Sequence, residues 1–471
     1  MRHGRAWVRL SAHGAAGHPL TISTIRSAVP FGKGVTIRAT AVLRRRTLSR
    51  AAAVGVVGQG YVGLSLACAA ADAGFSVTGV DIDQERVDSL NAGSLCVAGV
   101  RPADFDAGIS SGRMSFTTDA SILARSDIVA VCVPTPVKDH SPDLSYVERA
   151  CREVGEHMSQ GSLVILESTT YPGTTDEIVQ PLLEASGLAS GRDFLLAYSP
   201  ERIDPGNEEY GFRDTPRVVG GVTPEATGLA TLFYEQLVDK VVAVSSSRAA
   251  ELAKLLENTF RHVNIALVNE LAMLCNEMGI DVWEVVGAAA TKPFGFMEFD
   301  PGPGVGGHCI PLDPRYLAWQ VRRDAGRQFR ILEQAEDINA MMPNYVASRI
   351  GDALNENGKA LKGARILVLG VTYKADVGDM RESPALKVMT RLHRRGARVG
   401  FHDPYVESVF VNGSRTQRTE LTLRAVAGAD CVALLTAHSA YDLQWLGEHA
   451  QLIFDGRNAF GSVRTPSVVP L

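Results

Sequence analysis

Short apolar segments alternate with helical segments along most of the chain after residue 50. Residues 54–57 and 75–80 read as buried strands, and residues 61–73 between them form a helix rich in Ala and Leu. This order predicts a βαβ unit. Further strand-like runs follow at residues 128–133, 163–167 and 194–198. We therefore predict a doubly wound parallel sheet.

Two more regions complete the predicted architecture. Residues 249–284 contain hardly any helix breaker, and their apolar positions recur every three or four residues, which predicts a long helix. One face of this helix carries Lys254, Asn258 and Arg261. The helix could connect two α/β domains and offer a dimer surface, although a polar face exposed to solvent is the commoner explanation of this spacing. From residue 362 the strand and helix pattern returns, so a second Rossmann-like domain is expected. It lacks the full glycine fingerprint, and a dinucleotide is not its expected ligand.

Composition and charge restrict the class of protein. The 471 residues are 45% hydrophobic and 21% charged, as in ordinary globular proteins. Seven cysteines with no CxxC and no paired metal spacing predict a reducing, cytoplasmic location and no metal site. No apolar run reaches the ~18 residues that a membrane-spanning helix needs. The acidic balance after residue 50 argues against a nucleic-acid partner.

The first 50 residues differ in composition from the rest. They carry nine Arg and Lys33 but no Asp or Glu. We expect a disordered extension or a start codon assigned too far upstream, with a targeting segment or a basic binding arm as alternatives.

The turn after the first strand carries a nucleotide-binding pattern. It reads Gly58-Gln-Gly60-Tyr-Val-Gly63, and Asp81 closes the second strand. Glycines allow the turn and the close approach of a pyrophosphate, and the helix N-terminus supplies amide donors. A carboxylate at Asp81 would bind the adenosine ribose and repel a 2′-phosphate, which favours NAD over NADP. A purely structural turn is the alternative.

Three other segments suggest chemistry at strand ends and in a loop. Two Pro-containing turns, at residues 133–136 and 167–173, would present hydroxyl and amide groups to the nicotinamide half of the cofactor, unless they are ordinary turns. The glycine-rich segment 303–314 sets Cys309 four residues before Asp313. Cysteine is well suited to form a covalent intermediate with a carbonyl, but a buried thiol in a tight turn is equally consistent with this segment alone.

Seven motifs, in order, carry a family resemblance over about residues 52–465: GQGYVGL, ESTTYPGTT, YSPERIDPGN, ELAKLLENTFRHVNIALVNE, PGPGVGGHCIPLDP, GVTYKADVGDMRESPAL and HDPYV. The chain resembles the UDP-glucose/GDP-mannose dehydrogenase superfamily, especially its bacterial branch that acts on UDP-N-acetylhexosamines. His308 and Leu312 favour this branch over the UDP-glucose and GDP-mannose enzymes.

The resemblance implies an α/β protein with two Rossmann-like domains joined by a long central helix in a helical dimerisation domain. The expected divisions are the extension at 1–50, an NAD-binding domain at 51–248, a central domain with the Cys309 loop at 249–345 and a UDP-sugar-binding domain at 346–471. The implied protein is a homodimer. It oxidises the C6 alcohol of a UDP-sugar to a carboxylate with two NAD, through a thiohemiacetal and a thioester on Cys309.

Site residues follow from the motifs that match. The expected catalytic residues are Cys309, Lys254, Asn258, Asp313, Glu201 and Thr169. The expected cofactor contacts are Gly58, Gly60, Tyr61, Val62, Gly63, Asp81, Arg86, Pro134, Thr135 and Ser168. The expected substrate contacts are Arg202, Lys254, Asn258, Arg261, Phe299, Gly304, Gly306, Gly307, Lys374 and Arg381.

The preferred substrate is UDP-N-acetylmannosamine or UDP-N-acetylglucosamine, for the synthesis of surface polysaccharide. UDP-glucose is the alternative. Two hypotheses assign the chain to other functional classes. One is a two-electron hydroxyacid dehydrogenase, which needs no cysteine, and the other is a non-catalytic nucleotide-sugar-binding protein.

Overall fold

The N-terminal domain is built on one mainly parallel sheet, which has eight strands in the part of the chain that the structure describes. A computed structural model describes residues 37–97, 99–138, 141–203, 209–307, 309–461 and 467–471, and for Ile37, Arg38 and Cys309 the backbone alone. The sheet contains β1 (Ala53–Val57), β2 (Ser76–Val80), β3 (Met114–Thr117), β4 (Ile128–Val131), β7 (Leu163–Leu166), β8 (Leu195–Tyr198), β9 (Arg217–Gly221) and β10 (Val241–Ala243). A small separate hairpin pairs β5 (Val137–Lys138) with β6 (Ser141–Pro142).

The strand order explains where a ligand can bind. The order is β10-β9-β8-β7-β4-β1-β2-β3, so the direction of winding reverses between β4 and β1. Only the β8–β9 pair is antiparallel among the described strands of this sheet. In such sheets the crevice lies at the carboxyl ends of the strands at the switch point. Four-residue strands such as β4 and β7 are buried throughout, as expected when helices cover both faces.

Helices cover the two faces of the sheet. They are α1 (Ile37–Leu48), α2 (Tyr61–Asp72), α3 (Gln84–Asn91), α4 (Pro102–Ser110), α5 (Ser145–His157), α6 (Gln180–Glu184) and α7 (Pro224–Tyr234), with a 3-10 helix at Ala120–Arg125 and a π-helical turn at Thr174–Val179. Two apolar cores lie on opposite faces: one contains Phe75 and Phe233, and the other contains Leu123 and Leu196. The predicted doubly wound α/β fold is confirmed.

Helix α1 lies inside the segment that the sequence set apart from the folded domains. Its Leu43 side chain is buried in the core beside α7, and Thr40 and Thr47 are also buried. Arg46 pairs with Asp127 at 2.9 Å, so a cation of this basic segment meets an acid of the sheet domain. Residues before Ala51 therefore pack against the N-terminal domain. Residues 1–36 lie outside the described part of the chain.

The central region is helical. It contains α8 (Ser247–Met278), α9 (Val282–Ala290), α10 (Cys309–Ala325) and α11 (Arg330–Glu356). The single helix predicted over residues 249–284 is divided, because Gly279 adopts the left-handed conformation (φ 68°) that ends α8. The predicted domain boundaries at 248/249 and 345/346 fall inside α8 and α11, so continuous helices connect the three regions.

The C-terminal domain repeats the Rossmann plan on a smaller scale. Its parallel sheet has the order β12-β11-β15-β16-β17. The strands are β11 (Arg365–Leu369), β12 (Arg398–His402), β15 (Cys431–Leu434), β16 (Ile453–Asp455) and β17 (Val468–Pro470), with a hairpin of β13 (Ser408–Val411) and β14 (Ser414–Gln417). The helices are α12 (Pro384–Arg394), α13 (Leu423–Gly428) and α14 (Leu443–His449). The second Rossmann-like domain is thus confirmed. No helix in the described chain is long and apolar enough to span a bilayer.

Candidate active site

The turn between β1 and α2 gives each fingerprint glycine a separate task. Gly58 has a φ of 90°, where a side chain would be strained, and its N–H donates to the Val80 carbonyl at 2.8 Å. A Cβ on Gly63 would collide with the Gly58 carbonyl oxygen. A Cβ on Gly60 would meet nothing within 4 Å. Gly58 and Gly63 therefore form the turn, and Gly60 leaves open space in front of it.

Asp81 is fixed at the end of β2 by groups from three positions. Its Oδ2 accepts hydrogen bonds from the Gln59 N–H at 2.7 Å and from Arg86 Nη1 at 3.0 Å. Its Oδ1 accepts from the Asp83 N–H at 3.0 Å. The carboxylate is 6% exposed and still reaches the adjacent cleft. An acid at this place suits ribose hydroxyls, which donate hydrogen bonds.

A cleft of about 460 Å³ connects this turn with the central helices. Most predicted cofactor residues line it: Gly58, Gly60, Tyr61, Val62, Asp81, Arg86, Pro134, Thr135 and Ser168. It also reaches the predicted catalytic residues Thr169, Glu201, Lys254 and Asp313, and the predicted substrate residue Arg381. Gly63 is not part of the wall, because it packs behind the turn. Ser168 joins the two Pro-containing turns, since its Oγ donates to the Val133 carbonyl at 2.7 Å.

Lys254, Asn258 and Asp313 meet where α8 crosses α10. Asn258 lies one turn after Lys254, and its Nδ2 donates to Asp313 Oδ2. Both Lys254 and Asp313 are buried. Burial raises the pKa of Asp313 to about 6, against the opposing effects of the Lys254 charge and the Asn258 hydrogen bond. Asp313 can therefore exchange a proton near neutral pH.

For Cys309 the structure describes the position of the backbone but not of the side chain. Cys309 is the first residue of α10, and Asp313 follows one turn later on the same helix. His308 and the Cys309 side chain lie outside the described part of the chain. The sequence suggested a tight turn at 303–314, whereas the helix has already begun at Cys309. Pro311 is tolerated because the N–H groups in the first turn of a helix have no partner within it.

Glu201 belongs to a buried charge network that the sequence did not reveal. Arg217 approaches Glu167 at 2.9 Å and Glu201 at 3.2 Å. Its guanidinium carbon lies 4.7 Å from the ring centre of Phe212 and 5.1 Å from that of Tyr234. Tyr234 donates its hydroxyl proton to Glu167. Desolvation raises the pKa of Glu167, although the Arg217 charge opposes it. An arginine beginning the apolar run Arg217-Val-Val-Gly-Gly was the available sequence signal.

The other oxygen of Glu201 is held by the backbone. Glu201 Oε1 accepts from the N–H groups of Arg202 and Ile203, each at 2.6 Å. This carboxylate is 5% exposed and lies on the cleft wall. The backbone and Arg217 together fix its orientation toward the cleft.

Glu251 is a second residue that the sequence missed. It is fully buried in α8, one turn before Lys254. Its carboxylate accepts from the Gly173 N–H at 2.7 Å and from the Thr175 N–H at 2.9 Å. Burial raises its pKa to about 7. Glu251 thus ties the turn after Thr169 to the helix that carries Lys254.

Several predicted substrate residues lie outside the cleft. Arg202 pairs with Glu257 at 2.7 Å and donates to the Pro216 carbonyl at 2.6 Å. Arg261 is exposed on α8. Phe299 packs edge-on against the Phe260 ring, with the ring centres 5.8 Å apart. None of these three contributes to the cleft wall within this chain.

The glycine-rich loop contacts the C-terminal domain. A Cβ on Gly306 would lie 2.7 Å from the Tyr373 Cβ, so this position needs glycine. The Gly307 N–H donates to the Arg381 carbonyl at 2.9 Å. Gly304 has a φ of 127° and lies against Pro384. The structure therefore brings the predicted loop 304–307 together with the segment that contains Lys374 and Arg381.

Comparison with known proteins agrees with the domains and the cleft, which together define an NAD-dependent nucleotide-sugar dehydrogenase. Residues 52–238 match the UDP-glucose/GDP-mannose dehydrogenase family NAD binding domain. Residues 248–341 match the central domain of this family, and residues 367–462 match its UDP binding domain. The chain belongs to the UDP-glucose/GDP-mannose dehydrogenase family.

Individual relatives extend the match over most of the chain. The chain is 36% identical to UDP-N-acetyl-D-mannosamine dehydrogenase of Pyrococcus horikoshii, over 86% of this chain and 95% of that protein. It is 38% identical to UDP-N-acetyl-D-glucosamine 6-dehydrogenase of Pseudomonas aeruginosa, over 75% of this chain and 83% of that protein. The solved structure of the Pyrococcus horikoshii UDP-D-ManNAc dehydrogenase is similar with a TM-score of 0.80 at 35% identity, covering 89% of this chain and 98% of that one.

Proposed function

We propose that this protein oxidises the C6 alcohol of UDP-N-acetylmannosamine or UDP-N-acetylglucosamine to the uronate, in a four-electron reaction that uses two NAD and serves surface polysaccharide synthesis. The observation that carries the proposal is the continuous cleft from Gly60 and Asp81 to Lys254 and Asp313. The names of the two relatives support an N-acetylated sugar.

The walls of the cleft suit the dinucleotide. Open space at Gly60 admits a pyrophosphate to the N-terminus of α2, and Asp81 offers carboxylate oxygens for ribose hydroxyls. Ser168, Thr169, Pro134 and Thr135 would contact the nicotinamide half. When bound, NAD accepts the hydride in each oxidation.

The sugar carbon passes through three changes. The alcohol first loses a hydride and a proton and becomes an aldehyde. The Cys309 thiolate then adds to the carbonyl carbon, and a second hydride loss from the thiohemiacetal leaves a thioester. Water attacks the thioester, the C–S bond breaks, and the carboxylate and the thiolate are released.

Residues of the chain suit the charges and protons that these steps require. The Lys254 ammonium and the Asn258 amide can stabilise the oxyanion that develops on C6. Asp313, with its pKa raised to about 6, can take up and return a proton. Glu201 and Thr169 can orient the water that cleaves the thioester. Arg381, on the far wall of the cleft, can face the diphosphate.

The test is a substrate panel with purified protein. UDP-N-acetylmannosamine, UDP-N-acetylglucosamine, UDP-N-acetylgalactosamine and UDP-glucose are each incubated with excess NAD, and NADH is followed by absorbance. We expect two NADH per sugar with one of the first two. Dominance of UDP-glucose would establish the alternative substrate, and no turnover with any of them would favour a binding protein.

A Cys309 variant separates the reaction classes. Cys309→Ala is expected to lose formation of two NADH per sugar, because no thioester can form. Cys96→Ala, which changes an exposed cysteine of the NAD-binding domain, is the matched control. Two NADH per sugar at the normal rate from Cys309→Ala would exclude the covalent mechanism, and one NADH from the wild type would indicate a two-electron dehydrogenase.

We also propose a homodimer formed through α8 and a location in the cytoplasm. Exposed apolar side chains along α8 support the first proposal. The second is supported by the cysteines whose side chains the structure describes, which are all free thiols.

A further inference from the structure

The C-terminal domain repeats the hydrogen-bonding frame of the NAD-binding turn. Gly370 has a φ of 79°, and its N–H donates to the His402 carbonyl at 2.9 Å, as Gly58 donates to Val80. The next N–H, from Val371, donates to Asp403 Oδ2 at 2.7 Å. Gln59 makes the same contact with Asp81 Oδ2, also at 2.7 Å. Asp403 is therefore the counterpart of Asp81.

The two acids differ in what surrounds them. Asp81 lies on the wall of the cleft, whereas Asp403 has no exposed surface. The His438 side chain covers it, with Nε2 3.0 Å from Asp403 Oδ2. The His438 ring lies beside the rings of Tyr405 and Tyr441, with centres 5.2 Å and 5.6 Å away. The position proposed to receive a ribose in the first domain is thus filled by protein in the second.

The contacts of His438 fix its tautomer. Nδ1 accepts a hydrogen bond from the Asp376 N–H at 2.9 Å, so Nδ1 carries no proton. The proton is on Nε2, which donates to Asp403. His438 therefore bridges the anchored acid and the backbone of the loop that leaves β11.

That loop is fastened at several points around His438. The Thr372 Oγ1 lies 3.2 Å from His438 Nε2 and donates to the Lys374 carbonyl at 2.9 Å. Asp376 has a φ of 60°, which is unfavourable for a residue with a side chain, and its Oδ1 accepts from the Ser439 N–H at 2.9 Å. Asp376 keeps this conformation because the surrounding bonds hold it.

The far end of the same loop reaches the active site. The Tyr373 N–H donates to the Asp379 carbonyl at 3.0 Å, and the Asp379 carboxylate binds the Arg381 guanidinium at 2.6 Å. The Arg381 carbonyl accepts from Gly307, two residues before Cys309. Arg381 also lines the cleft. A connected path therefore runs from His438 through the 371–379 loop to Arg381.

We propose that His438 is a positioning residue that holds the Lys374–Arg381 loop in the shape that receives the nucleotide sugar. This inference rests on the proposed function, because that function makes the loop a UDP-sugar contact. His438 is buried and does not line the cleft, so it is not placed to touch the substrate or the cofactor directly. Its loss should therefore weaken binding of the nucleotide sugar and leave the distant NAD turn intact.

The experiment compares His438→Ala, His438→Gln and the wild type in the full chain. For His438→Ala we expect the KM for the preferred UDP-sugar and the Kd for UDP, measured by calorimetry, to rise at least about tenfold, since small displacements of contact residues have effects of this size. The KM for NAD should stay within about twofold, a change of less than ~0.5 kcal/mol. Gln keeps an N–H donor for Asp403, so His438→Gln should restore part of the affinity.

The control variant is His449→Ala, on the surface helix α14, where His449 contacts the Trp445 carbonyl and not the loop. It should change neither constant. If His438→Ala does not fold, Thr372→Val removes the hydroxyl that links His438 to Lys374 and should raise the same two constants.

Two outcomes would overturn the proposal: unchanged UDP affinity in His438→Ala, or an equal rise in both KM values. Failure of the proposed function is distinguishable, because the wild type itself would then neither bind UDP nor oxidise a UDP-sugar.

Discussion

Two carboxylates on the wall of the cleft are buried beside different partners. Glu201 accepts two backbone N–H groups and lies beside Arg217, whereas Asp313 depends on Asn258 and the nearby Lys254. Opposite charges and donors favour the ionised form of an acid, and burial disfavours it. For Asp313 burial has the larger effect. The contacts of Glu201 therefore hold its carboxylate in one orientation, whereas the environment of Asp313 favours the exchange of a proton.

The pKa of Asp313 predicts the pH dependence of turnover. Below about pH 6 this carboxyl group is protonated and cannot accept a proton, so kcat/KM for the preferred UDP-sugar should rise with pH through this value. Asn258 lowers the pKa, so Asn258→Ala should move the rising limb to higher pH, whatever its effect on the maximum rate. Asn264→Ala, on the same helix, is the control. An unmoved limb in Asn258→Ala would mean that another group controls it.

Arg217 predicts a large effect on stability. It balances two buried carboxylates, so Arg217→Met leaves Glu167 and Glu201 without their cation. Breaking a buried ion pair in this way costs about 3–5 kcal/mol of unfolding free energy, which urea denaturation would measure. Arg213→Met breaks an exposed pair with Asp239 and should have little effect. Equal stability of the two variants would show that the network contributes no net stabilisation.

The glycines of the turn between β1 and α2 are expected to have different roles, which substitution by alanine can separate. Gly60→Ala should fold with a nearly unchanged Tm, because the new Cβ meets no protein atom within 4 Å. Its KM for NAD should rise about tenfold or more, because the methyl group enters the space proposed for the pyrophosphate. Gly63→Ala should instead lower the Tm, because its Cβ meets the Gly58 carbonyl oxygen of the backbone.

Thermal unfolding and NAD titration of both variants check this prediction. A fall in Tm for Gly60→Ala, or a normal Tm for Gly63→Ala, would contradict it.

Local patterns predicted five strands of the N-terminal sheet, β1, β2, β4, β7 and β8, but not β3, β9 and β10. The reasons are physical. Buried strands such as β4 and β7 are short apolar runs, and the Gly58–Asp81 pattern lies within one βαβ unit. The end of α8 at Gly279 was missed because a single glycine is weak evidence against a strongly periodic helix. The start of α10 at Cys309 was missed because prolines usually mark turns.

Contacts between segments that are distant in sequence could not be predicted from local patterns. Glu167, Glu201 and Arg217 come together only because β7, β8 and β9 are neighbours in the sheet. His438 likewise reaches Asp403 because β12 and β15 flank β11. Arg202 was expected at the substrate, but its pairing with Glu257 depends on the packing of α8, which no local pattern specifies.

At the scale of the whole molecule, the exposed apolar surface is concentrated on the central helices. On α8 it comprises Leu252, Leu256, Phe260, Leu267, Leu274 and Met278. Spacings of four and seven residues place these side chains along one stripe of the helix. Phe294, Phe296 and Met297 expose further apolar surface shortly after α9. A contiguous patch of this kind is typical of a protein–protein interface.

The proposed dimer predicts the effect of charges on this stripe. In a twofold dimer each substitution occurs twice. Leu256→Glu and Leu267→Glu should therefore each remove two buried apolar side chains, worth about 1.5–3 kcal/mol each, and place two charges in the interface. By light scattering at micromolar concentration we expect the wild type to have the mass of a dimer and both leucine variants to have the mass of a monomer. Phe410→Glu is the matched control, because Phe410 is 74% exposed but lies on the β13–β14 hairpin of the C-terminal domain. If both leucine variants remain dimeric, α8 is not the interface; if Phe410→Glu also dissociates, the effect arises from added charge rather than from the stripe.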